Sequence, residues 1–528
     1  MQSPSRYSLP RALQRFSATA ALMIITCGAH ADDVQKHFDA GVKFYQSHKV
    51  DQALDEFGQA LKGAPKDPNI LRWIGFLQLE RQNYDAAREP LEQAVALDSS
   101  SVVAHLNLGN VYDGLKLYPK ALEEFRKVTK LKPDSADAYY DMGLIQSKLL
   151  HWTDAVESLR TSAKLDALAV AKSSASARKE DPAILDALGY ALLNSNDARG
   201  ALSAYQRAAA ISPENAEYNY HLGLTWRRLA EEKKAPPETA LANAKRALKI
   251  AVDRSPGTYE YVEFYGEVFF LLNSNTEAID QFAKAAELDK MQYNPVYNMA
   301  VAYSRLGRYP DAEKAYARAL KLVKRDDDPA LRRNALNGLT ISLYKEKRPD
   351  EAIAALKTFT SEYPTDTIGW INLASAYRLK GDDAGQIEAL RGAIANGAGY
   401  SNLPQLRTAL GALLYKRDDT AGALEQYTLA IRAQPNNADI LNGLALTEEK
   451  LGKIDEAIRD FQAAVKSNPR FADAYNNLGV AYESRYRSSK DHADLDRAVA
   501  AYNQALAIDP KHTLARKNRD RFDNSKKP

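Results

Sequence analysis

The sequence predicts an all-α fold, a solenoid of stacked helix-turn-helix hairpins. Three observations predict it. The stretch Val102 to Ser135, VVAHLNLGNVYDGLKLYPKALEEFRKVTKLKPDS, holds two apolar runs at helical spacing with a turn between them. The same pattern recurs along nearly the whole 528-residue chain. Finally, a hairpin that is apolar on two faces cannot bury both alone, so it needs neighbours.

Numbering that stretch from Val102 gives each position a place. Leu106, Leu108, Val111, Tyr112 and Leu115 share one face of a first helix. Lys116 to Pro119 makes the turn, and Pro119 suits the first turn of a second helix. Ala121, Leu122, Phe125 and Val128 give that helix its apolar face, and Pro133 ends it. Gly109 (place 8) and Ala121 (place 20) are expected to be small so that two helix backbones can approach. Tyr112 (place 11) and Phe125 (place 24) are expected to fill the space between hairpins. The spacing L-G-x2-Y, A-x3-F, P resembles the tetratricopeptide repeat. That resemblance implies a right-handed superhelix whose concave face is lined by the first helix of each hairpin.

The chain in order supports the repeat. Arg6, Arg11 and Arg15 are the only charged residues among the first 31, and Ser17 to Gly28 is small and apolar. Ala29-His30-Ala31 has the form of a cleavage site, so residues 1–31 read as a secretory signal and the mature chain as exported, periplasmic or secreted. A lipoprotein signal at Cys27, the only cysteine, is disfavoured because Thr26 precedes it. Cleavage after Ala31 would leave no thiol, which an oxidising compartment tolerates.

Repeats 1 to 4 are expected over 34–169, starting with Ala40-Gly41, Phe44, Ala53 and Phe57. A polar insertion, 170–181, follows, readable as a lengthened helix or a loop. Repeats 5 to 8 span 182–327. In the sixth, nine extra residues around Ala235-Pro236-Pro237 are expected in the inter-helix turn. Repeats 9 to 13 span 328–512. The ninth has Phe359 where alanine is usual, and the tenth has Gln386. Residues 513–528 read as a capping helix and tail. Across thirteen repeats, place 20 is Ala in twelve, place 8 is always Gly, Ala or Thr, and place 24 is always Leu, Phe or Tyr.

Composition narrows the function. The formal charge is +3, but without the three leader arginines 68 basic residues face 68 acidic ones. That balance argues against a general nucleic-acid binder, though a local basic patch remains compatible with it. The chain has no G-x-S-x-G, H-E-x-x-H or P-loop motif. Its eight histidines are scattered without matching places in adjacent repeats, so neither a catalytic nor a metal site is expected, and no cofactor.

The resemblance implies that places 2, 5, 6, 9, 12 and 13 face the groove. Place 6 is Asn107, Asn298, Asn372 and Asn477 in four repeats. Asn is a poor helix former, so propensity does not explain its recurrence. A side-chain amide offers a donor and an acceptor to any peptide backbone. Asn110 at place 9 and Tyr140, Tyr220 and Tyr297 at place 5 are expected to add to that surface. Carboxylate-clamp members of the family use paired Lys, Asn and Arg on consecutive repeats, whereas the place-6 asparagines here are isolated along the stack, so that specificity is not implied. The expected function is a non-enzymatic scaffold for protein or extended-peptide partners, in an envelope complex. The alternative partner is an exported polymer such as a polysaccharide.

Overall fold

The structure is a computed structural model and describes residues 29–173, 179–324 and 327–525. Among them are 27 α-helices and no strand. The first compact unit ends at Gln281. It pairs α1 (Ala29–Gln46) with α2 (Val50–Gly63), α3 (Pro68–Glu80) with α4 (Tyr84–Leu97), α5 (Val102–Gly114) with α6 (Tyr118–Leu131), and α7 (Ala136–Lys148) with α8 (Trp152–Lys172). It continues with α9 (Pro182–Asn194) and α10 (Ala198–Ile211), α11 (Ala216–Glu231) and α12 (Pro237–Arg254), then α13 (Tyr259–Leu271). The boundary falls within α14 (Asn275–Leu288).

The second unit begins at Phe282. It pairs α15 (Tyr293–Arg305) with α16 (Tyr309–Leu322), α17 (Pro329–Lys345) with α18 (Pro349–Glu362), and α19 (Thr367–Lys380) with α20 (Asp383–Asn396). Then come α21 (Leu403–Lys416) with α22 (Thr420–Ala433), α23 (Ala438–Lys450) with α24 (Ile454–Ser467), α25 (Ala472–Ser489) with α26 (His492–Ile508), and α27 (Thr513–Ser525). Odd-numbered helices are the first helices of their repeats.

The hairpin is built from a ring laid on a glycine. A Cβ added at Gly109 would stand 2.7 Å from the Phe125 ring, and one at Gly75 would stand 2.4 Å from Leu91. Both separations are far inside van der Waals contact. Place 8 is therefore small because the place-24 side chain of the same repeat packs onto it. Besides the expected space between hairpins, the place-24 side chain thus also occupies the space over place 8 of its own hairpin. Place 20 lies underneath: Ala53, Ala87, Ala121 and Ala155 are fully buried.

Three further places recur. In three repeats place 4 ties the first helix to the loop before it: Trp370 Nε1 donates to the Pro364 carbonyl (2.8 Å), Asn219 Nδ2 to that of Pro213 (2.8 Å), and His105 Nε2 lies 3.0 Å from that of Ser99. Two place-11 tyrosines tie a repeat to its predecessor: the Tyr112 hydroxyl donates to Glu92 at 2.8 Å, and Gln462 donates to the Tyr482 hydroxyl at 2.7 Å. One residue in each hairpin turn, at place 15 wherever the first helix is not lengthened, has left-handed backbone. His48, Gln82, Lys116, Leu150, Asn196, Lys233, Asn273, Gly307, Lys347, Gly381, Asp418, Gly452 and Lys490 all have positive φ, one in each of thirteen turns. Ten of these are not glycine, although only glycine adopts this geometry freely.

Insertions mostly lengthen helices. The sixth repeat absorbs its extra residues in a 16-residue α11 and an 18-residue α12, leaving Glu232 to Pro236 as the turn. The expectation of a long inter-helix loop is corrected: good helix formers continue each helix until Pro236-Pro237 sets a new start. The same happens in α25 and α26, with 18 and 17 residues. In the insertion after the fourth repeat, α8 runs on to Lys172 and residues 174–178 lie outside the described residues. Asp181 then donates its backbone N–H to Asp166 at 2.6 Å. In the ninth repeat the bulk of Phe359 is met by Gly369, where a Cβ would stand 2.5 Å from the ring. At the C-terminal end α27 packs on α25 and α26, with Ala515 fully buried and Arg521 bonded to Glu483 at 2.6 Å. The expected leader, except its last three residues, lies outside the described residues.

Within each unit the first helices form the tighter layer. In the first unit α3 touches α5, and α7, α9, α11 and α13 touch in series. In the second, α15, α17 and α19 touch in series, as do α21, α23, α25 and α27. Among the described residues no two second helices approach comparably. Hairpins that converge on their first helices put those helices on the inner side of each unit.

Candidate protein-binding surface

The inner face carries the expected residues, but in different states. In the first unit Asn107 and Asn110 sit one turn apart on α5 and are only 1% and 6% exposed. Their amide nitrogens are enclosed and reach no acceptor. An enclosed, unpaired donor loses its water without compensation. These two asparagines are thus not open rungs of a groove, which corrects the expectation for them. Tyr140 on α7 is also buried.

Tyr220, on α11, is half-buried against Tyr261 of α13 with ring centroids 4.6 Å apart, and against Phe264 at 5.8 Å. Burial, with Glu260 next, pushes its phenol pKa upward. Beside it His221 Nδ1 lies 2.7 Å from Asp186 Oδ1 of α9. Burial opposes the imidazolium, yet Asp186 and Glu217 raise the His221 pKa above the ordinary imidazole value.

In the second unit Tyr297, half-buried on α15, stacks on Tyr293 at 5.3 Å, and the Tyr293 hydroxyl donates to the Leu331 carbonyl of α17 at 2.8 Å. Asn298, the next residue, and Asn372 on α19 are half-buried, and neither side chain bonds to another described residue. Asn477 differs. It donates to Asn442 Oδ1 (3.1 Å) and accepts from Asn476 (3.2 Å), and Asn518 donates to Asn476 (3.0 Å). An amide chain thus runs from α27 through α25 to α23. Asn442 and Asn476, both at place 5, were not among the expected residues. A count of Asn at adjacent places would have found them.

Among the described residues no group of three His, Cys, Asp or Glu is placed to hold a metal, and no helix is long and apolar enough to cross a membrane. The most buried histidine–carboxylate pair, His105 with Glu124 at 2.5 Å, also bonds to Lys127 and the Ser99 carbonyl. All its polar atoms serve one hairpin and its entry loop.

The pattern of the tetratricopeptide repeat family matches residues 38–102, 77–136, 187–242, 240–291, 337–401, 408–458 and 443–513, and a second pattern of that family matches 293–358. The chain belongs to the tetratricopeptide repeat family. Its 27 helices fit about thirteen such repeats and a final helix. A TPR repeat-containing protein of Methanocaldococcus jannaschii is 21% identical over 433 residues, covering 80% of this chain and 68% of the relative. A BBSome complex member BBS4 homolog of Drosophila melanogaster is 22% identical, covering 55% of this chain and 51% of the relative. Among solved structures, yeast Tom70 is 16% identical with a TM-score of 0.32, covering 88% of this chain and 98% of that one. Tetratricopeptide arrays are in general non-enzymatic scaffolds, and membership supports a role in protein–protein interaction.

Proposed function

We propose that this protein is a non-enzymatic scaffold that holds an extended polypeptide along the inner, first-helix face of its second unit. The observation that carries the reading is the state of Asn298 and Asn372. Both stand at place 6 of first helices, both are half-buried, and neither amide bonds to a described residue. A half-buried amide without a protein partner is ready to exchange water for the N–H and C=O of a passing chain. The stacked Tyr293 and Tyr297 beside Asn298 supply a flat apolar wall. Asn477 is already engaged, so it contributes through the amide chain it completes.

The test is selection from a displayed library of random peptides on the full chain, followed by an Asn298→Ala/Asn372→Ala variant. Selected peptides are expected to bind the variant about tenfold or more weakly at unchanged thermal stability. Equal binding would remove the groove from the mechanism. Capture of an exported polysaccharide in place of any peptide would support the alternative partner.

The proposal places this scaffold in the cell envelope. The support is the leader-like composition of residues 1–31. N-terminal sequencing of the protein purified from cells tests it: a chain beginning at Asp32 supports export, and one beginning at Met1 contradicts cleavage.

A further inference from the structure

One edge of the second unit is laced by ion pairs. At its first junction Arg348, the N-cap residue of α18, lies 2.7 Å from Glu313 of α16. Lys380, at the end of α19, lies 2.6 Å from Asp350 of α18, and Lys416, at the end of α21, lies 2.6 Å from Asp383 of α20. Lys450, at the end of α23, pairs with Asp418 in the turn between α21 and α22, and Arg485 of α25 lies 2.9 Å from Asp455 of α24. Five consecutive junctions, from the eighth repeat to the thirteenth, are thus bridged in one sense. The acid comes from the earlier repeat and the cation from the later one.

The sequence builds this edge from helix ends. Asp350, Asp383 and Asp455 stand in the first turns of second helices, and Lys380, Lys416 and Lys450 in the last turns of first helices. A helix N-terminus favours an anion and a C-terminus a cation, so each residue suits its own helix before it meets its partner. The hairpin turn puts those two ends side by side, and stacking brings the cation of one repeat to the acid of the one before.

Two contrasts set this edge apart. The opposite edge, where second helices pass to first helices, has no such series. Among the described residues of the second unit it holds Arg332 with Glu362 and Arg333 with Asp366 near α17, and Asp473 with His512 near α27, with no ion pair between them. The first unit breaks the pattern as well. Asp51 with Arg81 and Asp113 with Lys148 follow it, but Arg160 faces Asp197 with the signs exchanged. Arg228 reaches the Leu193 carbonyl and Asn196 where an acid would stand.

The paired side chains are open to water: Lys416 and Asp418, for example, are 67% and 81% exposed. One such pair contributes little to stability, and salt screens it. Its effect on spacing is another matter, because small changes at five junctions in series add along one edge. We propose that these five pairs form an electrostatic brace that holds the hairpin turns of the second unit together and makes the spacing of its repeats depend on ionic strength. Because α15 and α19 carry Asn298 and Asn372, the brace also sets how far apart those two amides stand.

Energy transfer between dyes at Lys345→Cys and Ser488→Cys tests it on the full chain, with Cys27→Ser to remove the native thiol. Both positions are exposed, near the C-terminal ends of α17 and α25, and four of the pairs lie between them. Screening shortens the reach of a charge from about 10 Å at about 0.1 M salt to about 3 Å at about 1 M. Transfer is expected to fall over that range as the turns move apart. Adding Lys380→Gln/Lys416→Gln/Lys450→Gln is expected to lower transfer already at low salt and to cut the response to salt by about half or more. Lys416→Gln alone, expected to lie between the two, serves if the triple variant loses helical circular dichroism. Transfer that is constant with salt when all five pairs are present, or that falls equally with and without the lysines, overturns the brace.

Discussion

Inside the third repeat His105 Nδ1 lies 2.5 Å from Glu124 Oε2, with the two residues 2% and 6% exposed. They stand at places 4 and 23, and His37 and Glu56 repeat the pairing at 2.6 Å in the first repeat. The Glu124 hydrogen bond raises the His105 pKa against the opposing effect of burial. A histidine whose folded pKa is raised stabilises fully below its unfolded value and loses that contribution as pH rises through the folded one. The wild type should therefore lose its stability advantage over His105→Gln between about pH 6.5 and the higher pKa of the pair. Melting temperatures of both proteins across that range check it. A constant difference would mean that His105 acts as a neutral spacer.

Glu448 gives a pH effect at another pair. It occupies place 11 of α23, where Tyr112 and Tyr482 stand in other repeats. Burial first, then Asp460, pushes its carboxyl up to about 7, and Asp460 is raised as well. A carboxylate with a raised folded pKa costs stability as pH climbs through that value. Glu448→Gln should melt higher than wild type above pH of about 7, with the difference shrinking toward about pH 5. A variant that melts lower at alkaline pH would show that the ionised carboxylate is needed.

Packing at place 20 separates two otherwise similar substitutions. Ala278 is fully buried, whereas Gln386 already holds a longer side chain at 9% exposure. Ala278→Leu should cost about 1–3 kcal/mol by overpacking, and Gln386→Leu less. Denaturant midpoints decide between them, and equal losses would displace the register assigned to the tenth repeat.

Leu150 holds left-handed backbone at φ 62° while its side chain is 68% exposed. Leu150→Gly releases backbone strain without removing buried surface. It should stabilise by up to about 1 kcal/mol, after the greater chain entropy of glycine is counted. A lower melting temperature would mean that the leucine side chain packs in solution.

The fold was legible because packing fixes residue type at a few places. Gly109 must be small under the Phe125 ring, and Ala121 must be small beneath it, so the pattern survives in the chain. Place 15 was illegible because its requirement is a backbone angle met by Lys, Gln, Leu and Asn as well as glycine. The candidate surface was legible only as a list of places. Whether an asparagine is open, enclosed or already bonded depends on the neighbouring hairpins, which is why Asn107, Asn372 and Asn477 end in three different states. The sixth repeat misled for a similar reason. Its extra residues are good helix formers, and nothing local distinguishes a longer turn from longer helices.

The inner face of the second unit is proposed to contact a polypeptide. Photo-crosslinking from a benzophenone residue placed at Asn372 tests it most directly, with the same residue at exposed Glu425 on α22 as the control. Crosslinks to one or a few partner peptides from position 372, absent from position 425, are the predicted result. Equal crosslinking from both positions, or partners caught only from 425, would contradict it.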